Sequence, residues 1–246
     1  MGGGMRGMRG IRRAALAAVL ALGAPAVAAP SEAQAATGAD PAAMRATGGG
    51  TQLITVRAAS ARATTALVQW WTYSTSRRRW VLMGQAAGRV GARGLVAGTQ
   101  RRMNTYTTPT GLFDLPFAFG DSAPPAGTRM PYRRPTRTTW WCEDAPAKEY
   151  NRWVDPLPRD CRASESERLA ASPVQYARAV LIGFNYAKPV KGGAGIFLHV
   201  NGHGATAGCV SVPANSMSAL LKWLDPKAHP HIAIGAASGA LALNGY

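Results

Sequence analysis

The chain of 246 residues is poor in histidine, in acid and in cysteine. Among its four histidines, His199 and His203 form an i, i+4 pair. The Val200-Asn201-Gly202 between them is not helical, so this i, i+4 pair does not read as a zinc motif, and no metal is expected. Charged residues make up 16%, with 28 Lys and Arg against 12 Asp and Glu, a formal net charge of +16. Such an excess draws an exported protein to polyanions such as wall polymers, or simply keeps it soluble. No motif that reads DNA or RNA is present, so nucleic acid is not an expected partner. Long apolar runs are missing too. Residues 14–29 form the longest, too short for a stable membrane span, and nothing later reads as transmembrane. Without an internal repeat, the length suits one substantial domain or two small ones.

The first 28 residues read as a secretory signal peptide. Arg6, Arg9, Arg12 and Arg13 form a basic start, the Ala-rich run follows, and small residues offer cleavage as late as residue 35. No cysteine lies there to carry a lipid anchor. A secreted, cell-envelope location is therefore expected, with a mature charge of about +12. Residues 36–50, rich in Ala and Gly, read as a flexible linker.

Export gives meaning to the three cysteines. Cys142 and Cys161 sit close together in a Pro-rich, charged stretch and are the natural disulfide pair; a bridge through Cys209 is the alternative. With the first pairing Cys209 is left over, as an intermolecular bridge or a reactive thiol.

The surroundings of Cys209 favour the thiol. The segment 197–212 reads FLHVNGHGATAGCVSV. An apolar strand ends in His199, a Gly-rich turn holds His203, and Cys209 follows small residues. A thiol nucleophile needs an imidazole to take its proton, and small neighbours let a carbonyl approach. Pro213 and an apolar stripe of Met217, Leu220, Leu221 and Leu224 predict a helix directly after the cysteine, whose dipole would favour a thiolate. The competing reading is a buried, inert cysteine beside structural histidines.

Elsewhere the texture is short strands with Gly and Pro punctuation: 53–56, 64–73, 80–83, a long strand over 174–186, 196–199 and 232–234. Residues 74–79 read as a hairpin tip, 84–98 as Gly-rich turns, and 108–111 as a turn. The sum is a mostly β domain, a sandwich or barrel, over residues 51–235 with one or two short helices and a weakly specified tail at 236–246.

Thr108-Pro109-Thr110-Gly111 ahead of Phe119-Gly120, the His-ended strand and Ala207-Gly208-Cys209-Val210 together resemble the L,D-transpeptidase (YkuD-type) catalytic domain. The stretch between Trp140 and Cys161 is similar to that of an exported actinobacterial-type subgroup. The resemblance implies Cys209 as nucleophile and His199 as base, oriented by the backbone of Val200 or by Asn201. It implies oxyanion donors at the N–H groups of Gly208 and Cys209, and no cofactor. The family commonly has Ser-His-Gly-Cys followed by Arg or Asn. Here Thr206 and Ala207 precede the Gly-Cys, and Ser211 holds the later position. His203 stands as a second proton carrier or a substrate contact, alongside Thr206 and Ser211.

The function so implied is thioester-mediated acyl transfer on peptidoglycan stem peptides by a monomer, ending in a 3-3 crosslink or in L,D-carboxypeptidase hydrolysis. Two rivals are another cysteine wall peptidase, such as a sortase-like enzyme, and a non-catalytic basic wall-binding module.

Overall fold

The structure, a computed structural model, describes residues 40–187, 189 and 192–246. The expected signal peptide and the start of the expected linker lie outside these residues. The first strands are β1 (Gln52–Ala58), β2 (Thr65–Ser74), β3 (Arg79–Arg89), β4 (Leu95–Ala97) and β5 (Thr108–Asp114). Short strands follow: β6 (Ala118–Phe119), β7 (Tyr132–Arg133), β8 (Trp140–Cys142), β9 (Arg152–Val154), β10 (Glu167–Arg168) and β11 (Ala179–Leu181). The chain closes with β12 (Phe197–Val200), β13 (Val210–Val212), helix α1 (Ala214–Trp223) and β14 (His231–Ala236). Eleven strands form one mixed sheet in the order β4-β5-β14-β1-β2-β3-β13-β12-β11-β6-β7, and β10-β8-β9 form a second. The domain is mostly β with a single helix among the described residues, as expected from the sequence.

Strand alternation decides which side chains meet. Side chains of successive strand residues point to opposite faces. On one face Val180, Leu198, Val200, Val210 and Val212 join the main core. There they pack with Met217, Leu220, Leu221 and Leu224, all fully buried, which is the stripe expected of the helix. On the other face Ala179, Leu181, Phe197 and Cys209 join an aromatic cluster with Phe117, Phe119, Trp141, Leu169 and Tyr176. The aliphatic face anchors the sheet, and the aromatic face carries the cysteine.

Several local expectations change. The helix does not start at the cysteine. Strand β13 intervenes, Pro213 is the N-cap residue rather than a first-turn residue, and the helix dipole is not applied to Cys209. The expected long strand over 174–186 shrinks to β11, because its partners β6 and β12 pair with it only over Ala179–Leu181; Gln175–Ala177 is instead a 3-10 turn. The expected turn at 108–111 is the start of β5. Pro109 is tolerated there because β14 begins pairing only at Gly111, so its missing N–H faces no partner on that side. Within the expected Gly-rich turns, Gly84 and Gly88 lie inside β3. Gly84 is needed because a Cβ there would sit 2.2 Å from the Trp70 ring.

The chain ends are also more engaged than expected. In the expected linker, Pro41–Ala43 form a 3-10 turn capped by Asp40, Met44 packs against Leu53, Ala233 and Leu243, and Ala46 N–H donates to the Tyr246 carbonyl at 2.9 Å. The expected tail folds back through Ala236 N–H to Leu241 O at 2.7 Å and packs Leu243.

The stretch between Cys142 and Cys161 is mostly loop and turn; the strand inside it, β9, pairs with β8, which pairs in turn with β10 beyond Cys161. The Cys142–Cys161 disulfide forms, leaving Cys209 as the free thiol among the described residues. Trp141 is fully buried, its indole N–H donating to Asn151 Oδ1 at 2.9 Å. The same oxygen accepts from Gly195 N–H at 3.1 Å, and the Asn151 amide donates to the Asn185 carbonyl at 2.7 Å. Asn151 thus ties the small sheet to the segment that leads into β12.

Candidate active site

Cys209 and His199 reach the same place through strand parity. Strands β12 and β13 run parallel with Leu198 opposite Val210 and His199 opposite Ser211. Odd-numbered residues on both strands therefore share a face. Cys209 lies one step before β13, beside Phe197, whose N–H donates to Sγ at 3.4 Å. The thiol in turn donates to the Gly195 carbonyl at 3.5 Å. Both Cys209 and His199 line a pocket of about 480 Å³.

The backbone at the cysteine is clamped. Its carbonyl accepts from Thr206 Oγ1 at 2.6 Å and from Thr108 Oγ1 at 3.2 Å. Thr206 Oγ1 also accepts from Gly208 N–H at 3.1 Å, so that donor is committed to the loop rather than free for an oxyanion. Thr206 is a positioning residue in this arrangement. Gly208 has φ +147, and a Cβ on it would lie 3.0 Å from both Arg101 Nη2 and the Thr107 carbonyl. Left-handed backbone and crowding together require glycine.

His199 Nδ1 lies 2.7 Å from the Val200 carbonyl. A carbonyl only accepts, so Nδ1 carries the hydrogen and Nε2 keeps its lone pair. The ring stands edge-on to Tyr176, centroids 5.6 Å apart, and Tyr176 O–H donates to the Glu167 carboxyl at 2.9 Å. Asn201 does not orient the imidazole. Its side chain accepts from Ser211 Oγ at 2.7 Å, and its N–H donates to the Val212 carbonyl at 2.8 Å. Ser211 is buried beneath the site, opposite His199. His203 is exposed at the pocket rim, on the turn that Arg89 holds through the Gly202 and Gly204 carbonyls at 2.6 and 3.0 Å.

The electrostatics differ from the sequence expectation. Burial pushes the Cys209 thiol up to about 12, opposed by the Phe197 N–H, raised further by Glu167 and Glu143, and lowered by Arg101. Burial pushes His199 below its ordinary value, opposed by its hydrogen bond to Val200. At neutral pH the pair is a thiol beside a neutral imidazole. The opposite wall of the pocket comes from the disulfide-stapled region. Glu143 is raised to about 8, first by burial and then by Glu167. Glu167 is itself raised by burial.

Sequence reading missed Arg101, Glu143, Glu167 and Tyr176, which all line the pocket. Their only sequence signal is type, since none falls in a motif near the cysteine.

A family model for the YkuD L,D-transpeptidase catalytic domain matches residues 51–232. The chain belongs to this family. The protein is thus an L,D-transpeptidase-type enzyme, a cysteine acyltransferase whose substrates are peptidoglycan peptides. Searches of curated proteins and of solved structures gave no match. No helix of this L,D-transpeptidase, among the described residues, is long and apolar enough to cross a membrane.

Proposed function

We propose that this enzyme is exported and transfers acyl groups between stem peptides, with Cys209 as nucleophile and His199 as its base. The observation that carries the assignment is the shared face of β12 and β13, which opens the free thiol and the neutral imidazole into one pocket. Export is supported by the basic and apolar start of the chain and by the disulfide, which suits an oxidising compartment.

The chemistry follows from the protonation states. Sγ attacks the carbonyl of the bond between the L-centre of stem residue three and a terminal D-Ala. As the S–C bond forms, the thiol proton passes to His199 Nε2. A buried thiol is a poor nucleophile until its proton leaves, so transfer accompanies attack rather than preceding it. The positive Arg101 favours the sulfur charge that develops, and the Cys209 N–H is the remaining candidate donor to the oxyanion. The C–N bond then breaks, and His199 returns the proton to the departing amine of D-Ala. An amine of a second stem resolves the thioester to a crosslink between residues three, or water resolves it to the free acid; either nucleophile loses a proton to His199 as it attacks, the C–S bond breaks, and His199 returns that proton to Sγ, restoring the thiol.

Purified protein incubated with a stem tetrapeptide should release D-Ala and carry an acyl mass on the peptide containing Cys209. Cys209→Ala should abolish both. Release that persists in this variant, or an acyl group on another peptide, refutes the assignment.

A further inference from the structure

Arg101 is built into the pocket wall with part of its guanidinium unpartnered among the described residues. It caps the 3-10 turn Gly98–Gln100 between β4 and β5, where its N–H donates to the Gly98 carbonyl at 3.3 Å. The residue is 3% exposed, and its buried Nε and Nη1 have no hydrogen-bond partner among the described residues. A buried guanidinium without a counter-charge is strongly unfavourable, because desolvation is not offset. The ion pairs among the described residues, Arg129–Asp225 and Arg162–Asp144, do not involve it. Glu143 and Tyr150 are the nearby acidic groups whose charge would act on it, together with the thiol of Cys209. Burial holds Glu143 protonated up to about pH 8 and raises Tyr150, so neither supplies a negative charge at neutral pH.

The location of the guanidinium says what would complete it. Nη1 lies 3.3 Å from where a Cβ on Gly193 would be, and Nη2 lies 3.0 Å from where one on Gly208 would be. The side chain thus lies between two glycines, one of them adjoining Cys209. A scissile carbonyl placed at Sγ has the α-carboxylate of its leaving residue only a few bonds away. A planar guanidinium with free donors matches a carboxylate in both charge and shape.

We propose that Arg101 binds the free α-carboxylate of the D-residue that leaves the donor stem, restricting donors to peptides that end at that residue. This rests on the acyl-transfer reading given above and names the group that selects its donor.

The test compares a stem tetrapeptide with its C-terminal carboxamide, which keeps the shape and removes the charge. Binding is measured by calorimetry in the Cys209→Ser background, so it does not depend on turnover. The acid should bind at least about tenfold tighter than the amide, and Arg101→Met should erase that preference. In the Cys209 enzyme, Arg101→Met should lower kcat/KM for the acid donor by about 100-fold and for the amide donor by a clearly smaller factor, because the lost charge support at the sulfur is common to both donors and the lost carboxylate contact is not. Arg101→Met should also melt no lower than the parent, since it removes an unpaired buried charge; a purely structural arginine predicts a lower melting temperature. Equal binding of acid and amide, or a preference that survives Arg101→Met, overturns the proposal. A charge dependence that follows the acceptor's carboxylate instead of the donor's overturns the assignment to the leaving residue. If the parent enzyme turns over neither donor, the acyl-transfer reading fails, while the calorimetric comparison still decides the role of Arg101. Should Arg101→Met not fold, Arg101→Gln takes its place, with the same outcomes.

Discussion

At the scale of single residues, the site is a neutral pair in a buried setting rather than a pre-formed ion pair. The Cys209 thiol is raised to about 12 and His199 is lowered, in both cases chiefly by burial. The sign of the pH dependence follows. His199 can act as a base only when neutral, and its folded value lies below the ordinary imidazole value of 6.5. The acid limb of kcat/KM should therefore fall below pH 6.5. Alkylation of Cys209 by iodoacetamide should stay slow through pH 8 to 9 and rise only well above an ordinary thiol's range. A midpoint near 8.5 in the alkylation profile would show that burial does not control the thiol. The same shifts act on stability. His199 is kept neutral by the fold, so its contribution is present above 6.5 and lost as pH falls below it. Cys209 is kept protonated, so its contribution is present below the ordinary thiol value of 9.0 and lost as pH rises toward about 12.

At the scale of elements, two strands and one stapled sheet make the pocket. The alternation along β12 and β13 sends Leu198, Val200, Val210 and Val212 to the helix side and His199, Cys209 and Ser211 to the other. A one-residue slip would bury the imidazole against α1, so the aliphatic core holds the catalytic face in register. The small sheet β10-β8-β9 delivers Glu143 and Glu167 to the far wall. It is held by the aromatic cluster and by a disulfide between residues 19 apart. A loop of that length makes the crosslink worth about 3 kcal/mol. The double variant Cys142→Ser/Cys161→Ser should lose stability of that order by denaturant titration. Activity should fall further than stability, because the wall loosens while the β12–β13 pair persists. Unchanged activity in the folded double variant would show that the small sheet contributes nothing to the site.

At the scale of the whole molecule, the composition is strongly basic. We propose that the basic excess, 28 Lys and Arg against 12 Asp and Glu, acts as a diffuse field on anionic wall polymers. Such a field is screened by salt. Retention of the purified protein by isolated cell walls should fall steeply between about 0.05 M and about 0.5 M salt, while retention of a neutral control should not. Salt-independent retention would point to a specific contact instead. The segments around residue 46 and residue 246 close on each other at this scale, through Ala46 and Tyr246, around a small core of Met44, Leu53, Ala233 and Leu243. Neither segment had enough apolar periodicity to announce that packing.

The sequence alone determined the fold class, the helix stripe and the segment holding Cys209 and His199, and it favoured the disulfide pair that the structure then decided. Each of these is written locally, in residue type and short spacing, where hydrophobic periodicity and turn chemistry act. It did not show that β13 separates the cysteine from the helix, because a three-residue strand has too short a pattern to read. It also overstated the strand at 174–186, whose length is limited by partners distant in the chain. Only the tertiary structure brought Arg101 and Glu143 to the thiol, one from the β4–β5 connection and one from the stapled sheet. Burial likewise decided that the thiol is raised rather than activated in the resting enzyme. Desolvation depends on everything packed around a group, and no local spacing encodes it.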